Sequence, residues 1–186
     1  MSIYGGPVHQ LGIVVEDIDT AMRLWTQGLG IGPFYVGRER SFTNFTYRGN
    51  SASPPVLSIA LAQVGPLQIE LIQQLNDTPS AFTEFTRAGR SGMHHLASMF
   101  RDPTQYDAAH RRLTDAGLVE VQSGIGSGGR WSYLGTDPLE FPMFELCETH
   151  GALGEMFDRV RAAAIGWDGA DPIRESTWSG PVEVPD

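Results

Sequence analysis

His94 and His95 stand side by side at the start of an apolar run, and 85 residues earlier His9 and Gln10 open a similar one. The first copy reads His9-Gln10-Leu11-Gly12-Ile13-Val14-Val15-Glu16-Asp17, and the second reads His94-His95-Leu96-Ala97-Ser98-Met99-Phe100-Arg101-Asp102. Two further apolar segments each carry a glutamate, Glu70 in Leu67–Gln73 and Glu145 in Leu139–Cys147. Imidazole nitrogen, amide oxygen and carboxylate oxygen are the donors that borderline divalent ions take. A carboxylate inside an apolar strand is costly to bury unless it is paired, protonated or bound to a cation. The chemistry these residue types can do together is therefore to hold one metal ion, with positions left open for substrate.

The elements that would position them follow from periodicity. Val8 to Val15 reads as a strand, and Asp17 caps a helix whose inner face is Ile18, Ala21, Met22, Trp25 and Leu29. Extended segments follow at Phe34–Gly37, Thr43–Tyr47, Val56–Gln63 and Leu67–Gln73. The second copy repeats the order: a strand at Met93–Phe100, a helix opened by Asp102-Pro103, and strands at Leu118–Gln122, Arg130–Leu134 and Leu139–Cys147. With the second of the four segments in the first copy the weakest, each copy reads as a βαβββ module, so the fold class is α+β. The modules cover about 7–75 and about 92–148, with a linking helix near 79–88 that turns Phe82 and Phe85 inward. They make one domain over 1–150; residues 151–186 add a helix, Leu153 to Ile165, and an aperiodic tail with Trp167 and Trp178 as anchors.

Alternation along a strand decides which side chains share a cavity. Leu11, Ile13 and Val15 pack beneath the helix, with His9 on their side, so Gln10, Gly12 and Val14 face the other way. In the second copy His95, Ala97 and Met99 face the cavity, with His94 behind. Glu70 shares a face with Gln68 and Ile72, and Glu145 with Phe141, Met143 and Cys147. Gln10, Glu70, His95 and Glu145 thus converge as metal ligands, and small Gly12 and Ala97 leave room for a ligand. A bulge would exchange Gln10 for His9. The donor set suits zinc, nickel, cobalt or manganese without choosing among them.

The paired modules, with polar residues at the starts of the first strands and on the last strands, resemble the glyoxalase or vicinal oxygen chelate superfamily over residues 7–148. The stretch Ile69-Glu70-Leu71-Ile72-Gln73-Gln74-Leu75-Asn76-Asp77, followed by Gly92-Met93-His94-His95-Leu96-Ala97, is similar to methylmalonyl-CoA epimerases. The set Gln10, Glu70, His95 and Glu145 is similar to that of zinc-type glyoxalase I. The resemblance implies a curved half-barrel sheet around one divalent ion, and an isomerase, epimerase or lyase acting beside a carbonyl through an enediolate-type intermediate. It also implies Glu145 or Glu70 as the proton-transferring base, a small-molecule substrate and a homodimer. Methylmalonyl-CoA epimerases carry a further acid near the position of Asn50–Pro54, where this chain has none. The competing readings are a metal-free binding protein of the bleomycin-resistance kind and, third, a ring-cleaving dioxygenase.

Arg130, Trp131, Tyr133 and Phe34 are candidate substrate contacts, and the glycine-rich stretch 124–129 reads as a flexible hairpin connection or lid. The lone Cys147 has no basic neighbour in sequence to activate it, and reads as a small core residue. One cysteine cannot form an internal disulfide, which fits a reducing cytoplasm. A net charge of −9 argues against nucleic acid or an anionic membrane as partner, since there is no basic surplus to neutralise phosphates. No apolar stretch approaches the length of a membrane span, and the first residues lack the pattern of a secretory signal.

Overall fold

The computed structural model describes residues 6–140 and 142–176; Phe141, Trp178 and the rest of the tail beyond 176 lie outside the described residues. Module one contributes β1 (Gln10–Val14), α1 (Ile18–Arg23, continued by a π-helical stretch over Leu24–Gly28), β2 (Phe34–Arg40), β5 (Leu57–Val64) and β6 (Leu67–Gln74). Module two contributes β7 (Gly92–Phe100), α3 (Pro103–Asp115), β8 (Val119–Gly126), β9 (Gly129–Gly135) and β10 (Met143–Glu148). The linking helix α2 is Ala81–Arg87, the last helix α4 is Gly151–Ala164, and a short β11 (Ile173–Glu175) follows. The duplicated aspartates do duplicated work: Asp17 accepts the Thr20 backbone N–H and Asp102 that of Thr104, each satisfying one donor at a helix start.

With β3 (Thr43–Tyr47) and β4 (Asn50–Ser51), the described strands join one strongly curved, unclosed sheet in the order β11-β2-β5-β6-β1-β7-β10-β9-β8-β3-β4. The two first strands, β1 and β7, run antiparallel at its centre and bring the modules together. Apolar residues on the two sides of this sheet make separate cores. Ile18, Met22, Phe34 and Leu71 fill the space beneath α1, and Phe100, Tyr106, Leu113 and Leu146 the space beneath α3. The concave side holds Val14, Phe82, Phe85, Trp131, Tyr133 and Met143, with α2 packed into it.

One expectation is corrected. The segment Thr43–Tyr47 does not extend module one. It is β3, which forms a hairpin with β4 (Asn50–Ser51) and pairs with β8 of module two. Of the two readings of the stretch 124–129, the structure shows the hairpin connection: Gly124–Gly126 belong to β8, Gly129 opens β9, and the turn between them is tight. Added Cβ atoms there would meet Trp131 at 2.8 Å for Gly124 and the Glu148 carbonyl at 2.9 Å for Gly128, so these glycines permit close packing. Among the described residues no helix is long and apolar enough to cross a membrane.

Candidate metal centre

Strand register builds the site from two adjacent rows. In one row Glu70 of β6 lies beside Gly12 of β1, and Gly12 beside His95 of β7. In the next, Gln68, Gln10, Ala97 and Glu145 succeed one another across β6, β1, β7 and β10. Gln10 and His95 come from equivalent positions of the duplicated strands, as do Gly12 and Ala97. In the first row the small residue makes room for the large one beside it. At Gly12 this fit is tight: a Cβ there would fall inside the His95 ring. The space expected beside Gly12 for a ligand is therefore taken by the imidazole itself.

His95 Nε2 lies 3.2 Å from Glu70 Oε2 and 3.0 Å from Glu145 Oε2, and these atoms all fall within 4.8 Å of one another. His95 is wholly buried and Glu145 nearly so, yet none of the three atoms has an aligned hydrogen bond. A buried polar atom left in that state costs about 1–3 kcal/mol, more if charged. Donors about 2.0–2.2 Å from one zinc ion sit roughly 3.0–3.5 Å apart around it, so the observed spacings fit a shared cation. The Gln10 amide nitrogen donates to Gln68 Oε1 at 2.7 Å, which leaves its own oxygen as the group available to the cavity it lines. His9 stays out of the cluster, because its Nδ1 accepts the Met99 backbone N–H at 3.0 Å.

His94 does not take the position that alternation assigns it. The β1–β7 register slips between Gly12 and Ile13, which pair with His95 and Met93, so His94 is the extra residue of a β-bulge. Both imidazoles consequently meet Tyr133 and α2. His94 stacks on Phe82, with ring centroids 4.9 Å apart, and its Nδ1 lies 3.1 Å from Nδ1 of His95. The Ala81 carbonyl, 3.4 Å from His94 Nε2, can only accept, so that nitrogen carries hydrogen. Burial holds His94 neutral, well below the usual histidine range, so its Nδ1 is an acceptor and His95 Nδ1–H donates to it. When His95 too is neutral, its Nε2 lone pair then points between the glutamates. Fixing a ligand tautomer in this way is typically worth 10–100-fold in metal affinity. Phenylalanine at His94 suits the aromatic cage but offers no acceptor. His94→Phe is expected to weaken zinc binding by about that factor with the fold retained, read by competition against a chromophoric chelator.

The charges are coupled. Burial raises the Glu70 carboxyl, an effect that His95 opposes and the Glu145 charge reinforces. Burial alone would lower His95, but the adjacent carboxylates outweigh it and lift it to about 9. Without metal, His95 binds its proton more tightly folded, at about 9, than unfolded, near 6.5. Its contribution to stability is thus complete below pH 6.5 and lost as pH rises through 9. A cation must displace that proton, so metal-free protein is expected to melt lower as pH climbs from 6.5 to 9 while zinc-loaded protein does not. Differential scanning fluorimetry across this range checks both halves.

Beside the cluster lies a cavity of about 80 Å³, walled by Leu57, Ile59, Ile72, Trp131 and Tyr133 and bordered by Leu153 and Phe157 of α4. The Tyr133 ring stands edge-on to His95 at 4.7 Å, and burial followed by the charges of Glu145 and Glu70 keeps its hydroxyl protonated. Cys147 also lines the cavity, its thiol pushed well up by burial.

The model of the Glyoxalase/Bleomycin resistance protein/Dioxygenase superfamily matches residues 9–134. The chain belongs to this superfamily. A methylmalonyl-CoA epimerase from Mycobacterium tuberculosis superposes with a TM-score of 0.56 at 21% identity, over 83% of this chain and 96% of that one. A hypothetical protein from Bacillus halodurans C-125 gives 0.52 at 17% identity, over 78% and 95%. A comparison with curated proteins finds no match.

Within this glyoxalase-superfamily chain, two candidate substrate contacts lie elsewhere. Phe34 is fully buried beneath α1, edge-on to Trp25 at 6.5 Å, on the outer side of the sheet. Arg130 binds Glu148 and Asp107 at 2.6 and 2.8 Å and lies over the Tyr106 ring, away from the cavity. Both placements follow from parity: Phe34 shares the outer face with Val36, and Arg130 is out of phase with inward-facing Trp131 and Tyr133. Residues 50–54 sit in and after the β3–β4 hairpin and none of them lines the cavity. The residue that sequence reasoning missed is Arg40, which does line it.

Proposed function

We propose that the protein is a divalent-metal-dependent enzyme of the glyoxalase superfamily that moves a proton beside a carbonyl of a small molecule, as an isomerase, epimerase or lyase. The observation that carries this reading is the buried meeting of Glu70 Oε2, His95 Nε2 and Glu145 Oε2 without aligned hydrogen bonds. Gln10, Glu70, His95 and Glu145 would hold one zinc, nickel, cobalt or manganese ion. When bound, the ion supplies positive charge next to the carbonyl oxygen, where negative charge develops.

The chain's own groups supply the rest. Glu70 would be the base that takes a proton from the carbon beside the carbonyl. Glu145, on the strand across His95 from Glu70, would serve the other face: an epimerase returns the proton to the same carbon from that face, whereas an isomerase returns it to the neighbouring carbon. Apolar walls exclude water, which strengthens each interaction within. The likeness to a methylmalonyl-CoA epimerase supports proton transfer as the reaction class. The absence of an acid at residues 50–54 speaks for a different substrate.

The test is metal content followed by exchange. After loading and dialysis, one ion per chain is expected by plasma emission spectrometry. In D₂O the loaded protein is expected to wash deuterium into carbon beside the carbonyl of small 2-oxo acids, and Glu70→Gln to lose this. A folded protein that takes up none of the four ions would overturn the proposal and favour a metal-free binding protein.

A further inference from the structure

Arg40 ends β2, and a regular strand would not turn it toward the cavity. Tyr35 and Gly37 alternate with Phe34 and Val36, which pack beneath α1, so Arg40 falls in step with the outward set. The β2–β5 register shifts between Gly37, which pairs with Ile59, and Arg40, which pairs with Leu57. Three steps on β2 thus match two on β5, which is a bulge, and Glu39 inside it adopts the left-handed conformation at φ 51°. That conformation is unfavourable for a residue with a Cβ and persists only where surrounding structure imposes it. Its effect is to invert the facing of Arg40, which joins the cavity wall beside Leu57 and Phe42 and is only 8% exposed.

A guanidinium in such a wall is a specific kind of ligand group. Burial lowers its pKa to about 10, which still leaves it charged at neutral pH. Among the described residues that line this cavity, Arg40 is the one basic side chain. Its planar fork matches a carboxylate, with two parallel charge-assisted hydrogen bonds.

We propose that Arg40 is the residue that receives a substrate carboxylate, so that the enzyme acts on small carboxylic acids carrying a carbonyl group. The assignment rests on the proposed function of the same cavity and specifies its substrate class. The volume of about 80 Å³ favours acids with a short apolar chain, set against Leu57, Ile59 and Trp131. The bulge is then a specificity device, since it places a positive charge at the end of an otherwise apolar pocket.

The experiment compares 2-oxobutanoate with 2,3-pentanedione, a neutral dicarbonyl of similar shape, by tryptophan fluorescence and calorimetry on zinc-loaded wild type, Arg40→Lys and Arg40→Met. Wild type is expected to favour the acid at least tenfold, the lysine variant less, and the methionine variant by less than about threefold, with zinc content equal in all three. Equal binding of acid and dione by wild type overturns the assignment, even if Arg40→Met does not fold. An undiminished preference in folded Arg40→Met overturns it as well. A protein that binds no zinc, yet loses its acid preference in Arg40→Met, would refute the metal-dependent reading and leave the role of Arg40 standing.

Discussion

Replacing Glu145 with alanine is expected to weaken zinc binding by roughly a thousandfold while leaving the fold intact. The loss combines a missing ligand with a buried imidazole and carboxylate that no longer share a cation, and disrupting a buried charge cluster costs about 3–5 kcal/mol. Glu145 lies 3.0 Å from His95 Nε2, on the last strand of module two, and among the described residues no other acidic side chain joins Glu70 and His95 in the buried group. Glu70→Ala is expected to behave alike, because β6 of module one supplies the equivalent ligand. Isothermal titration of both variants and the double variant checks the claim. If the two glutamates serve one ion, the loss in the double variant departs from the sum of the two single losses. Wild-type affinity in Glu145→Ala would show that the cluster is merely a paired core histidine.

The second large effect is expected at a residue that touches neither metal nor substrate. Gly12 has no left-handed backbone requirement; its role is steric, because a Cβ would coincide with the His95 ring. Gly12→Ala is expected to cost about 3 kcal/mol through overpacking, lowering the melting temperature by roughly 6–12 °C, and to abolish metal binding as the imidazole is displaced. Ala97, its counterpart in the other module, is fully buried between Gln10 and Glu145 in the second row. Ala97→Leu would crowd that row. Thermal melts with and without zinc separate the contributions, since loss of binding removes the stabilisation that zinc gives wild type. A Gly12→Ala protein that melts and binds like wild type would contradict the row geometry.

Much of this arrangement was readable from residue order because a strand has a strict period. Alternation puts Gln10, Glu70, His95 and Glu145 on one side, and the duplication relates Gln10 to His95. What alternation does not show is where it is interrupted. The bulge at His94 brings that ring to the same side as His95, and the bulge before Arg40 turns an outward position inward. One extra residue leaves no signature in hydrophobic pattern, since His94 and Arg40 are polar on either reading. The crossing of Thr43–Tyr47 to pair with β8 is a tertiary choice between two strand edges, which β propensity does not discriminate. Arg130 differs in kind. Its phase against Trp131 and Tyr133 was available from the sequence, and its partners Glu148 and Asp107 satisfy it on the outer face.

The pairing of modules also explains why neither alone makes the site. Gln10 and Glu70 belong to the first, His95 and Glu145 to the second, and the β1–β7 seam sets their separation. Helix α2 then holds His94, and through it the orientation of His95, from the concave side.

The most direct measurement is a crystal soaked in zinc, with diffraction recorded on both sides of the zinc absorption edge. One anomalous peak is expected among Glu70, His95 and Glu145, about 2.0–2.2 Å from their facing atoms and within reach of the Gln10 oxygen. A difference map with no peak there, and His95 Nε2–H bonded directly to the two glutamates, would contradict the account.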